Sequence, residues 1–117
     1  MGIFSGEKAR NDSLTEEHSI QNEIRLALAD TCVIFRGNVG RVKTPDGRYF
    51  DTGLPKGFSD LFGFRKSDGK AVFIEVKTPK GTVSKEQKKF IKTMKSYGAI
   101  AGVCRSPQEA KILTERG

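Results

Sequence analysis

The middle of the chain carries two carboxylates and a lysine, Asp60, Glu75 and Lys77, whose types and spacing suit the binding of a divalent cation. Strand alternation places Glu75 and Lys77 on one face of a strand. Two carboxylates at close range repel each other, and one lysine offsets only part of their charge. A hard cation such as Mg²⁺ or Mn²⁺ would resolve the repulsion, because it prefers oxygen ligands. The trio therefore predicts a site for metal-assisted chemistry.

The register of a hairpin decides whether these side chains meet. Two apolar segments are joined by a turn that contains Asp-Gly at 68–69, a strong hairpin signal. A loop of four residues, 66–69, places Asp60 directly opposite Glu75, and a loop of two places Asp60 opposite Lys77. Both registers keep the three side chains on one face, with opposed Cβ atoms about 5 Å apart. A loop with an odd number of residues separates them.

An ordinary solvated strand face would also explain a Glu-x-Lys pattern taken alone. The surrounding segment 72–76 is apolar enough, however, to be a strand buried on both faces. An unpaired charge is costly to bury there. This context favours a functional site over surface decoration.

Length and charge indicate one domain with a polyanionic partner. The 117 residues suffice for a single domain, which we assign to 13–117, after a loose arm at 1–12. The net charge of +7 favours nucleic acid as the partner, although solubility alone would give a similar value.

Cysteine usage and hydropathy indicate an intracellular protein. Cys32 and Cys104 lie in apolar segments and are typical of small buried residues in a reducing compartment. With one histidine in the chain, a zinc site is not expected. No segment has transmembrane length and no signal peptide is visible, so we expect a soluble protein without a membrane partner.

The first predicted helix covers about residues 15–29 and presents an apolar stripe. The stripe consists of Ile20, Ile24, Ala27 and Leu28. Glu17 falls near the middle of that stripe, whereas Glu23 points to the side. A carboxylate directed at the core needs a partner. The alternative is that Glu17 only stabilises the first turn through the helix dipole.

The second predicted helix begins with a capping-box pattern at 84–87 and ends at Gly98. Its predicted core stripe consists of Phe90, Ile91, Met94 and Tyr97. Gln87 precedes this stripe by one turn and therefore faces inward. The capping box could be its whole role.

A basic segment lies between the first strand and the central hairpin. Its glycines and its turn at 45–47 alternate with spaced cations, which suits a surface that follows a phosphate backbone. An ordinary solvated hairpin is the alternative. The predicted DNA contacts, with two lysines further along the chain, are Arg36, Asn38, Arg41, Lys43, Arg48, Lys56, Lys80 and Lys85.

The predicted order of elements is α-β-β-β-β-β-α-β-α, an α/β fold with a central mixed sheet flanked by helices. The second helix connects the strand that carries Glu75 to a strand at 99–104 as a crossover, which makes those strands parallel, or at least neighbours in the same sheet. A last helix starts at Ser106-Pro107 and ends near Glu115.

These elements bring together a candidate set for phosphodiester hydrolysis, namely Glu17, Asp60, Glu75, Lys77 and Gln87. Carboxylates can hold one or two Mg²⁺ ions against a phosphate, and the metal activates water and neutralises developing charge. Lys77 could position the water or stabilise the transition state. The sequence contains no competing Ser-His-Asp, Cys-His or P-loop arrangement.

The Asp60-(x14)-Glu75-Val76-Lys77 pattern resembles the core of the PD-(D/E)XK nuclease superfamily. More narrowly, five motifs in order over about residues 16–104 resemble the virus-type replication-repair nuclease (VRR-NUC) family. They are Glu17-x-x-Ile20-Gln21, Arg36-x-Asn38-x-Gly40, Gly57-Phe58-Ser59-Asp60-Leu61, Ile74-Glu75-Val76-Lys77, and Ser84-x-x-Gln87-x-x-Phe90 ahead of Gly98. The family often has Pro where this chain has Ser59, a position that is not a ligand.

The resemblance implies that Glu17, Asp60, Glu75 and Lys77 are catalytic and that Gln87 is an auxiliary polar residue. It implies metal bound by the acids and by the backbone carbonyl of Val76.

Standalone members of the family are typical of phages, and fused members act on branched DNA in repair. The resemblance thus implies a Mg²⁺- or Mn²⁺-dependent endonuclease of branched DNA, such as a homodimeric Holliday-junction resolvase. The alternatives are a nuclease of flaps, nicks or duplex, and a non-catalytic basic DNA-binding module.

Overall fold

The computed structural model describes the backbone of residues 5–117 and the side chains of residues 15–40 and 43–117. The elements are α1 (Ser5–Leu28), β1 (Cys32–Arg36), β2 (Arg41–Lys43), β3 (Tyr49–Asp51), β4 (Leu61–Arg65), β5 (Ala71–Val76), α2 (Lys85–Ser96), β6 (Ile100–Cys104) and α3 (Pro107–Arg116). This confirms the predicted order of helices and strands.

A four-stranded mixed sheet forms the centre of the molecule, with strand order β1-β4-β5-β6. β4 is antiparallel to both β1 and β5, whereas β5 and β6 are parallel and are connected through α2. The predicted crossover is therefore confirmed. β2 and β3 pair only with each other and form a separate two-stranded ribbon.

The two faces of the sheet have different cores because the side chains of β5 alternate. Val72, Ile74 and Val76 are fully buried with the α1 stripe, which confirms the predicted inward face of that helix. On the other face, Phe73 packs edge-on against Phe90 of α2, with ring centroids 5.4 Å apart. The site strand is thus held from both sides.

Both cysteines are buried free thiols, as predicted. Burial, with a smaller contribution from the charge of Glu109, raises the pKa of Cys104 to about 12. A thiol with so high a pKa is almost entirely protonated at neutral pH and therefore unreactive. Cys32 and Cys104 act as small apolar core residues.

The first helix begins earlier than predicted, at Ser5 rather than near Thr15. Residues 5–12, predicted as a loose arm, therefore have helical backbone, while residues 1–4 lie outside the described part of the chain. Ser13 and Thr15 are common caps, but nothing near them breaks a helix, and the segment contains good helix formers. The division into an arm and a domain at 13–117 stays a prediction.

Tyr97 was wrongly predicted to belong to the core stripe of the second helix. It caps α2 at its C-terminus and its side chain is 84% exposed. Gly98, with a φ of +93°, turns the chain away immediately afterwards, so the stripe ends one turn earlier. None of the described helices is long and apolar enough to cross a membrane.

Candidate active site

The hairpin has the register that brings two carboxylates face to face. Leu61 pairs with Ile74, and the four residues 66–69 form the loop outside the ladder. One step further along each strand, this register brings Asp60 opposite Glu75. Of the two even-numbered loops considered from the sequence, the four-residue loop is the one present.

Three hydrogen bonds fix the strand around Asp60. Its Oδ2 accepts from the backbone N–H of Val76 at 2.9 Å, and its carbonyl accepts from Gly37 N at 2.7 Å. The hydroxyl of the preceding Ser59 is fully buried and donates to Leu61 O at 2.8 Å. Ser59 therefore has a structural role in the segment that carries Asp60.

A glycine lets this segment pass close to the start of α2. Gly57 has a φ of +92°, and a Cβ atom there would lie 2.6 Å from Glu86 O, too close for any other residue. The next residue, Phe58, packs its ring against Phe90 with centroids 4.9 Å apart. This close approach brings the first turn of α2 over the hairpin.

Glu75 is a buried carboxylate with one oxygen bonded and one orphaned. Its side chain is 2% exposed, and Oε1 accepts from Gln87 Nε2 at 2.7 Å. Oε2 is buried and accepts no hydrogen bond from a donor among the described residues, although the Glu75 and Asp60 carboxylates are close enough to share a hydrogen bond when one of them is protonated. Burial, followed by the charge of Asp60, raises the pKa of Glu75 well above its ordinary value of 4.5, while Lys77 lowers it. The charge of Lys77 therefore offsets only part of the negative charge at the site.

Gln87 combines the two roles considered for it. Its backbone N–H donates to Ser84 Oγ at 3.1 Å and its Oε1 accepts from Ser84 N at 2.8 Å, which completes the capping box. Its Nε2 is then directed at Glu75. The box therefore fixes the rotamer that orients the site carboxylate, and it is not the whole role of the residue.

Glu17 approaches the pair from α1. It is partly buried, and its pKa is raised first by burial and then by Asp60, while Lys77 and His18 lower it. Glu17 therefore lies close enough to Asp60 and Lys77 for their charges to change its pKa. Glu23, in contrast, is exposed, in agreement with the predicted helix face.

The described residues contain no cluster of three or more His, Cys, Asp or Glu side chains that could hold a metal ion. The register brings the carboxylates of Asp60 and Glu75 together, and their ligation of a cation with the backbone carbonyl of Val76 stays a prediction. Direct ligation by Glu17 stays a prediction.

Lys77 follows Glu75 by two residues on the same strand face and is partly buried. Its charge lowers the pKa of both Glu75 and Glu17, so the ammonium group stabilises the charged form of both acids. Its backbone N–H donates to Cys104 O at 3.2 Å, so the strand remains anchored to β6 at this point.

Sequence reasoning gave no role to two residues around the site. Gln21 was named only as part of the family motif, and it is buried one helical turn after Glu17 on the same face of α1. Arg105 donates through one guanidinium nitrogen to Thr78 O at 2.5 Å and Gly81 O at 2.8 Å. It fixes the loop after Lys77, and no sequence pattern indicates this contact.

The predicted DNA contacts lie on the surface around the hairpin. The described side chains among them are all exposed: Arg36, Asn38, Lys43, Arg48, Lys56, Lys80 and Lys85. The side chain of Arg41 lies outside the described residues. Lys56 pairs with Glu86 at 3.4 Å and Arg48 pairs with Asp46 at 3.3 Å. Exposed pairs of this kind are weak, so both cations can exchange them for phosphates.

A divalent cation fits this arrangement of donors. The orphaned Oε2 of Glu75 and the opposed carboxylate of Asp60 provide oxygen ligands, which Mg²⁺ and Mn²⁺ prefer. A positive ion would also relieve the burial of negative charge that raises the pKa of Glu75.

Comparison with protein families identifies a VRR-NUC domain at residues 42–108. The match covers more than half of the chain and contains Asp60, Glu75, Lys77 and Gln87, whereas Glu17 precedes it. The mixed four-stranded sheet with flanking helices agrees with the PD-(D/E)XK-like nuclease fold. No curated protein and no solved structure matches the chain.

Proposed function

We propose that this chain, which belongs to the VRR-NUC family and is therefore a nuclease acting on DNA, is a Mg²⁺- or Mn²⁺-dependent endonuclease of branched DNA. The observation that carries the metal dependence is the buried, orphaned Oε2 of Glu75, which lies beside the opposed carboxylate of Asp60. Such an oxygen is costly to bury in its charged form unless a cation binds it.

The chain's own residues divide the work around the reacting phosphate. Asp60, Glu75 and the carbonyl of Val76 would hold the ion, and Gln87 keeps the Glu75 carboxylate in one orientation. A bound divalent cation supplies an acidified water and neutralises charge on the phosphate. Lys77 positions the attacking water or stabilises charge that develops in the transition state.

Glu17 is the third acid of the proposed site. Its raised pKa, which results from burial and then from the charge of Asp60, supports this assignment. We assign it to the binding of a second ion or to a water in the shell of the first.

We assign the basic surface to binding of the DNA backbone. The symmetry of a branched substrate then suggests the oligomeric state of the protein. Exposed cations at the end of β1, on the ribbon and around α2 suit phosphate contacts that carry no sequence information. A four-way junction presents two equivalent strands, so we propose a homodimer that acts as a Holliday-junction resolvase inside the cell.

Two other functions remain in view. The same site on a monomer would cut flaps, nicks or plain duplex. A non-catalytic DNA-binding module is disfavoured, because such a module has no reason to keep Glu75 buried with an orphaned oxygen.

One experiment separates these functions. Labelled four-way junction, flap, nicked and linear duplex are incubated with the protein, with and without Mg²⁺, and the mass of the protein is measured in solution. Cleavage of the junction only with Mg²⁺, by a dimer, supports the proposal. A monomer that cuts flaps supports the second function, and binding without cleavage in Mg²⁺ contradicts the enzyme.

A further inference from the structure

The β2–β3 ribbon is inserted in the chain between β1 and Asp60, the residue that precedes β4. The chain leaves β1 at Gly37, whose N–H donates to the carbonyl of Asp60 at 2.7 Å, and it returns through the segment that ends at Asp60 itself. Both ends of the segment 37–59 are therefore anchored next to a predicted metal ligand. The ribbon pairs with no strand of the main sheet, so it is positioned by these anchors.

The tip of the ribbon is rigid. Thr44 N donates to Arg48 O at 2.7 Å and Gly47 N donates to Thr44 O at 3.0 Å. Asp46 accepts from the hydroxyl of Thr44, and Gly47 adopts the positive φ, +87°, that the turn requires. Such a turn is organised before any partner binds, which lowers the entropic cost of recognition.

Two consecutive residues of this ribbon carry exposed aromatic rings. Tyr49 is 58% exposed and Phe50 is 53% exposed. Strand alternation directs them to opposite faces of the ribbon. Tyr49 lies opposite Lys43, whose Nζ is 6.0 Å from the ring centroid, and Arg48 is the neighbouring residue.

Phosphate contacts do not explain these rings. Lys43 and Arg48 suffice to follow a backbone, and an exposed phenyl ring adds no attraction to phosphate. Aromatic side chains beside cations are, in contrast, the usual means of stacking on unpaired bases. Bases with open faces occur where helices meet in branched DNA, and a plain duplex keeps its bases stacked on each other.

We propose that Tyr49 and Phe50 stack on bases at the branch point, so that the ribbon selects branched DNA and presents the adjacent phosphate to Asp60 and Glu75. This inference rests on the proposed function insofar as DNA is the substrate. It assigns the choice of DNA shape to a segment separate from the metal ligands.

The test compares a double variant, Tyr49→Ala with Phe50→Ala, with a control, Tyr97→Ala. Tyr97 also carries an exposed ring. It is the C-cap of α2, ten residues after Gln87, and therefore lies about 15 Å from Gln87 along the helix axis. Affinity is measured in EDTA for a four-way junction and for a duplex of the same length. The junction carries 2-aminopurine at the branch point, whose fluorescence reports stacking.

We expect the double variant to bind the junction roughly 30-fold more weakly or worse, since each of the two rings stacks on a base. Its duplex affinity should be nearly unchanged, and the fluorescence change seen with wild type should disappear. Tyr97→Ala should behave as wild type. Tyr49→Phe, which keeps the ring, should retain junction binding. Circular dichroism and the melting temperature establish that each variant is folded.

Unchanged junction affinity and fluorescence in the double variant would overturn the inference. Equal losses on junction and duplex would also overturn it, because the rings would then be general contacts. Since these readings are made in EDTA, they do not depend on cleavage. A wild type that binds junctions through the rings but never cuts DNA would refute only the proposed function.

Discussion

The side-chain amide of Gln87 donates to Oε1 of Glu75 at 2.7 Å, which joins the first turn of α2 to the central strand of the sheet. The same amide accepts from Ser84 N through its oxygen. One residue therefore starts the helix and orients the carboxylate, so that the orphaned Oε2 faces the site. Helix capping and the candidate chemistry are mechanically linked.

Substitution of Gln87 separates those two roles. Gln87→Glu keeps an oxygen for the capping box. It replaces the N–H donor to Glu75 with a further carboxylate, which repels Glu75. We expect nearly normal thermal stability in the presence of Mg²⁺ and a cleavage rate about 10- to 100-fold lower. Gln87→Ala should lose both the cleavage rate and roughly 1 kcal/mol of stability. A Gln87→Glu variant with wild-type cleavage would contradict the orienting role.

The stability of the metal-free protein should depend on pH through Glu75. Its pKa is raised in the folded state, because burial and Asp60 disfavour the charged form. The stabilising contribution is thus fully present below the unfolded pKa, near 4.5, and is lost as the pH rises through the folded pKa. In EDTA, the melting temperature should therefore fall between about pH 5 and pH 9.

Glu75→Gln should remove that decline, since glutamine stays neutral over the whole range. We expect it to be more stable than wild type at alkaline pH in EDTA, yet inactive and not stabilised by Mg²⁺. Glu23→Gln, on an exposed position of α1, is the matched control and should retain the wild-type profile. An unaltered pH profile in Glu75→Gln would show that another group is responsible.

Glu17 and Glu23 test the orientation of α1. Glu17 senses Asp60 and Lys77, whereas Glu23 is exposed on the side of the helix. Glu17→Gln should lower single-turnover cleavage about 10- to 100-fold, as expected for a group that supports a metal site from nearby. Glu23→Gln should leave the rate unchanged. A larger effect at Glu23 would mean that the helix presents another face.

Lys77 should act on the rate more than on metal binding. Lys77→Ala removes the cation that lowers the pKa of Glu75 and Glu17. We expect a cleavage rate about 10²- to 10³-fold lower, with the Mg²⁺ concentration for half-maximal activity changed less. Lys111→Ala, an exposed lysine on α3 outside the predicted DNA contacts, is the control. A shift confined to the Mg²⁺ dependence would assign Lys77 to ion binding instead.

Much of the fold followed from local patterns in the sequence. The Asp-Gly turn and two apolar segments predicted the hairpin, and the four-residue loop was one of two registers considered. The capping box at 84–87 and the Ser-Pro start of α3 were confirmed because capping depends on neighbouring residues. The start of α1 was wrong, since a possible cap such as Thr15 does not stop a helix that can continue.

The site was predictable where strand alternation determines which side chains share a face. This principle brought Asp60 and Glu75 together, but it could not reveal the bond between Gln87 and Glu75, which depends on the packing of α2 over the hairpin. The fixation of the 78–81 loop by Arg105 also depends on distant contacts. Such contacts become visible only in three dimensions.

Cleavage of a labelled four-way junction by wild type and by Asp60→Asn tests the central claim most directly. Asp30→Asn, at an exposed aspartate after α1, is the control. The rate is measured with Mg²⁺ and with EDTA, and junction binding is measured in parallel. We predict cleavage by wild type and Asp30→Asn only with Mg²⁺, and none by Asp60→Asn despite normal binding. Undiminished cleavage by Asp60→Asn, or cleavage by wild type in EDTA, would contradict a metal site at Asp60 and Glu75.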